Sequence, residues 1–133
     1  VKEEWDAVLK RDMIRDIMQE VVVEFFDYDG SFIEIWSDLN SPGSVFCDRN
    51  NLVYVAEQGP PRRNIPNGVS IYTESGELIS QFMRKREDNP TQPHGICLDS
   101  KGNIYVAEVS WSDYGSKMEP PRELRSMQKL VKI

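Results

Sequence analysis

The chain has 133 residues, and few of its side chains have the type and setting to carry chemistry. The only histidine is His94, in the run Gln92-Pro93-His94-Gly95. A lone imidazole can be a hydrogen-bonded polar group or one ligand of a metal that other groups also hold. Two carboxylates, Glu57 and Glu108, end the matching runs Val53-Tyr54-Val55-Ala56-Glu57 and Ile104-Tyr105-Val106-Ala107-Glu108. Paired carboxylates can bind a cation or divide the roles of acid and base, but recurrence at one repeat position fits structural hydrogen bonding better. Trp111 and Tyr114, followed by Pro120-Pro121, set aromatic rings on a long loop. Such a loop contacts a ligand or peptide, or folds onto its own small cluster. No spacing among these residues makes a catalytic set, and none is assigned as catalytic.

The elements that position them come from an internal repeat. The run from Pro42 to Glu57 aligns with Pro93 to Glu108 without a gap, at a period of 51. Each copy reads as two short apolar strands around a polar turn, with Asn51 and Gly102 at the turn position that needs a left-handed backbone. A second unit, Val23 to Ile33, aligns with Val69 to Ile79, and its turns are marked by Asp29-Gly30 and Ser75-Gly76. Met127-Gln128-Lys129-Leu130 repeats the first strand of that unit. The order is outer hairpin, inner hairpin, outer, inner, and half an outer one. Two hairpins make a four-stranded antiparallel blade of ~40 to 50 residues, so the chain holds about two and a half blades of a β-propeller.

Ahead of the repeat, apolar residues from Trp5 to Val21 recur at three- and four-residue spacing among charged residues. This predicts an amphipathic helix over Glu3–Glu20, its apolar face covering a blade edge, so that 1–21 stands apart from the propeller at 22–133. Cys47 falls one place after Cys97 in equivalent strands, which puts the two on opposite faces. Two reduced, buried thiols acting as small hydrophobes are expected rather than a disulfide, and no CxxC or Cys/His cluster points to a structural zinc site.

A net charge of -6 with acidic residues along the whole length leaves no basic stripe, so neither nucleic acid nor an anionic membrane is an expected partner. The runs Arg62-Arg63 and Arg84-Lys85-Arg86 read as solvated surface. No apolar run approaches the ~20 residues of a membrane span, and the acidic opening is unlike a signal peptide. A soluble chain is expected. Its start on Val1 rather than Met points to processing or truncation, which leaves the compartment open. Open blade edges invite self-association.

The Pro-X-Gly lead, the apolar strand ending in Asp, the Gly-Asn turn, the Tyr-Val-Ala strand and the aromatic strand before Asp-Gly resemble NHL-repeat β-propellers, from about Val22 to Ile133. More narrowly, Gln92 to Asp99, Tyr105 to Trp111 and Gln128 to Ile133 look like the final blade of bacterial proteins similar to the peptidyl-α-hydroxyglycine α-amidating lyase, a six-bladed propeller. The resemblance implies the C-terminal part of such a ring, in which three histidines, each in a Pro-His lead on a different blade, hold zinc. His94 would be one of them. One imidazole cannot supply the three protein ligands of a catalytic zinc, so this chain alone is not expected to catalyse the reaction. The lyase pattern has a methionine two places before its histidine and an acidic calcium ligand directly after it. Gln92 and Gly95 stand there instead, and calcium is not expected at this blade. The tyrosine and arginines of the lyase reaction lie on blades that this chain lacks, and none is carried over to Tyr54, Tyr105 or Tyr114. The competing expectation is a non-catalytic scaffold that binds a protein, peptide or small molecule through its loop faces.

Overall fold

Both inner hairpins turn on an aspartate. In a computed structural model that describes residues 22–58, 67–83 and 92–133, Asp48 Oδ1 accepts the backbone N–H groups of Asn50 and Leu52 at 2.8 and 3.0 Å, and Oδ2 accepts the Tyr54 hydroxyl at 3.2 Å. Asp99 does the same in the second copy, taking Lys101 and Asn103 N–H at 2.9 and 3.0 Å, with the Asn103 side chain and the Tyr105 hydroxyl on Oδ2. The expected left-handed residues follow, Asn51 at φ 58° and Gly102 at φ 80°.

The chain divides into two units, Val1–Asp38 and Leu39–Ile133. In the first, β1 (Val23–Phe26) and β2 (Phe32–Trp36) pair antiparallel. In the second, β3 (Pro42–Cys47), β4 (Val53–Glu57), β5 (Gly68–Tyr72) and β6 (Leu78–Phe82) form a four-stranded sheet in that order. A three-stranded sheet follows, made of β7 (Pro93–Leu98), β8 (Ile104–Glu108) and β9 (Met127–Leu130). This is the expected all-β architecture, a partial propeller of antiparallel blades. The predicted helix at Glu3–Glu20 and the runs Arg62-Arg63 and Arg84-Lys85-Arg86 lie outside the described residues.

Register repeats as closely as sequence. Val45 pairs with Val55 and Cys47 with Val53 in the first sheet, as Ile96 pairs with Val106 and Leu98 with Ile104 in the second. The outer hairpins carry matching bulges, at Ile33 in β2 and Ile79 in β6, each lacking a partner across the ladder. Because side chains alternate between faces, one face of the first sheet presents Tyr54, Ala56 and Val69. They pack with Ile96 and Val106 of the second sheet into a core flanked by Phe46, Ile71, Leu98 and Ile104. Burial of this apolar layer is the main favourable term in the unit.

Gly68 shows how the outer strand constrains its neighbour. A Cβ there would lie 2.6 Å from the Phe82 carbonyl oxygen, so β6 excludes any side chain at the start of β5. Ser126 occupies the same repeat position before β9, and no strand flanks β9 on its far side among the described residues.

One expectation is corrected. Cys47 and Cys97 are free thiols, as anticipated, but both are exposed rather than buried. Cys97 lies on the face of β7 that points away from the core, paired with Tyr105, and Cys47 ends edge strand β3 beside a turn. Partial desolvation and the neighbouring Asp48 charge raise the Cys47 thiol above its ordinary pKa.

Candidate functional site

The ends of the inner strands opposite the Asp turns carry most of the residues singled out by sequence. In β7 the ladder runs from Pro93 opposite Glu108 to Gly95 opposite Ala107, so His94 is the extra residue of a β-bulge. Bulges re-aim a side chain, and His94 is exposed. Gly43 occupies the same bulge in β3, between Pro42 and Ser44. A Cβ at Gly43 would lie 2.8 Å from Gln58 Nε2 and 3.2 Å from the His94 carbonyl oxygen. The two bulges are therefore neighbours, and the space a side chain would need at position 43 is held by the Gln58 amide. Adjacent blades cannot both present a histidine here unless Gln58 moves.

The glutamates are held by hydrogen bonds. Glu57 is fully buried. Its Oε1 accepts the Asn40 N–H at 2.9 Å and its Oε2 the Ser70 hydroxyl at 2.5 Å. Tyr72, half-buried, has its hydroxyl pKa raised by desolvation and by the Glu57 charge. Glu108, also buried, accepts from the Gln128 amide and, at 3.4 Å, from the Gln92 N–H, with Arg125 Nε 3.8 Å away. Both carboxylates close the joins between strands and lead segments as buried acceptors, satisfied by the donors named.

Gln92 is the hub of this end. Its Nε2 donates to the Gln58 carbonyl at 2.5 Å, and its Oε1 accepts from Asn67 Nδ2 at 2.9 Å and from the Tyr114 hydroxyl at 3.4 Å. Its carbonyl accepts the Val109 N–H at 3.1 Å. Asn40, whose Nδ2 donates to Asn67 at 3.2 Å, links the hub back to Glu57. Tyr114 reaches Gln92 from a folded loop. Its helical turn α1 (Ser110–Asp113) and the 3-10 turn Gly115–Lys117 are pinned by the Ser110–Ser126 hydroxyl pair at 2.8 Å. Gly115 has no room for a side chain, because a Cβ would run into the Arg122 carbonyl oxygen. Trp111, on α1, is 51% exposed.

Glu57, Glu108 and Tyr114 thus meet in one hydrogen-bonded region around Gln92, with exposed His94 two residues after Gln92 in the chain and the exposed Trp111 three residues before Tyr114 on its loop. The partnership of Gln92, Asn40 and Asn67 was missed by sequence reasoning. The only signal for it was polar residues flanking the starts of apolar strands, where burial is uncommon for amides. Among the described residues no group of three or more His, Cys, Asp and Glu side chains could hold a metal ion. His94 therefore brings one ligand, and the described residues do not by themselves fit a catalytic zinc.

Among the described residues no helix is long and apolar enough to cross a membrane. Neither the curated proteins nor the solved structures give a match to the chain. The NHL repeat family model matches residues 91–112, the segment that runs from the lead of His94 through β7 and β8 into α1. The matched segment is one NHL repeat, and β3 and β4 repeat its hairpin in register.

Proposed function

We propose that the chain is an NHL-type propeller module akin to the C-terminal blades of amidating-lyase-like proteins, inactive as an enzyme by itself, whose loop-bearing end presents His94 as a single metal ligand. The observation that carries this reading is His94 on a bulge, solvent-facing, in the Pro-His lead, where the equivalent residue of the preceding blade is glycine. A histidine that the blade's backbone does not need is there for its side chain. In a parent ring the other two ligands would come from other blades, and the crowding at Gly43 supports blades that are not adjacent to this one. Zinc titrated into the chain and its His94→Ala variant, followed by imidazole and amide NMR signals, tests it. Weak binding that perturbs the His94 ring and is lost in the variant supports the metal reading. Equal perturbation of both proteins, or none at His94, overturns it.

The exposed Trp111 on an ordered loop favours a second reading, a binding scaffold for a peptide or small molecule. On that reading Trp111→Ala abolishes ligand-dependent changes in the loop and leaves metal content as it was.

A further inference from the structure

The turn end of the second unit, opposite His94, holds a cleft of ≈ 620 Å³ between the two Asp-clamped turns. Its apolar walls are chiefly Phe46, Ile71, Leu98 and Ile104, which flank the core, together with Leu130. That volume lies within the ~300 to 1,000 Å³ of small-molecule sites, which combine apolar walls with a few placed polar groups.

The polar groups at its mouth are not equivalent. Asp48 and Asp99 are committed to their own turns. Hydrogen bonds hold the Asp99 carboxyl down at about 2, with Asn103 the largest contributor. Against a desolvation that would raise it, bonds from Leu52, Asn50 and Tyr54 hold Asp48 below the ordinary range. Arg49, Lys101 and Lys132 also line the cleft. Among the described residues none of their side chains has an ion pair. The blade does not require these cations: the repeat places Ser100 opposite Arg49, Asn50 opposite Lys101 and Glu74 opposite Lys132. In a chain of net charge -6, three unspent cations around an apolar cleft are a local reversal of sign.

We infer that this cleft binds a small amphipathic anion, with a hydrocarbon body against Phe46, Ile71 and Leu98 and an acidic headgroup at Arg49, Lys101 and Lys132. Burial of the body supplies affinity. The cations, screened by salt at this exposed rim, select the headgroup.

The experiment is an NMR titration of the chain with octanoate, using acetate as a headgroup-only control and octanol as a chain-only control. Octanoate is expected to bind about ten-fold tighter than either control, equivalent to about 1.4 kcal/mol, and to shift amides at 48–51, 98–102 and 130–132. The Lys101→Gln/Lys132→Gln variant is expected to bind it at least about five-fold more weakly. It should keep its fold, because only the main-chain N–H groups of these two lysines enter the hydrogen bonds of the turn. Equal affinity for octanoate and octanol, shifts confined to other regions, or an indifferent double variant with wild-type amide positions would each overturn the inference.

Discussion

The two sheets of the second unit are nearly the same structure in different surroundings. Ala56 and Ala107 sit at one repeat position and Val69 and Met127 at another, in the same register. Yet Ala56 is fully buried and Ala107 exposed, and Val69 is 1% exposed against 63% for Met127. The first sheet has a neighbour on this face and the second has none among the described residues. Composition follows coverage: Phe46 and Ile71, which flank the core, are replaced by Cys97 and Lys129. A repeat fixes the ladder, while the neighbouring layer decides what each position can hold.

The sharpest way to break this comparison is one substitution made twice. Ala56→Asp buries an unpaired charge and is expected to cost at least about 3 kcal/mol, enough to unfold a marginal domain. Ala107→Asp should stay within about 0.5 kcal/mol. Urea denaturation of both variants checks it, and equal losses would mean that the second face is also covered. Next in size is Gly68→Ser, which forces a side chain toward the Phe82 carbonyl. A loss of about 2 kcal/mol is expected, whereas Ser126→Gly should change stability by under about 1 kcal/mol.

The acid limb of stability separates the turns from the faces. Asp99 titrates at about 2 in the folded chain against 3.8 ordinarily. Its folded-state pKa is depressed, so its stabilisation is full above pH 3.8 and is lost as pH falls toward about 2. The Asp99→Asn variant should be less stable at pH 7 and should show a flatter pH dependence below pH 4, read from thermal melts. An unchanged acid limb would mean that the carboxylate is as well solvated folded as unfolded. The smallest expected effect is at Lys129, whose Nζ lies 5.2 Å from the Tyr105 ring centroid. Lys129→Met should leave the thermal midpoint nearly unchanged or raise it slightly, since it restores an apolar residue where the first sheet has Ile71.

Much of this was legible in the residues. The 51-residue repeat gave both inner hairpins, and the turn positions of Asn51 and Gly102 followed from glycine and asparagine tolerating left-handed backbone. The spacing of six from Asp48 to Tyr54 and from Asp99 to Tyr105 also stood in the sequence. As a signal it would have revealed the hydrogen bond that secures each turn. The thiols were misplaced because alternation assigns a face but cannot say whether that face is covered. The hub at Gln92 was hidden because its partners Gln58 and Asn67 lie 34 and 25 residues away.

By itself, then, the sequence determined the strands, their turns, their order and the in-register repeat, because these depend on alternation, turn chemistry and contacts within a hairpin. The tertiary structure alone decided that Ala56 is core and Ala107 is surface, that His94 stands on a bulge beside Gly43, and that Arg49, Lys101 and Lys132 gather around one cleft. Those facts depend on which layer packs against which, and on residues far apart in the chain that meet only when two blades come together.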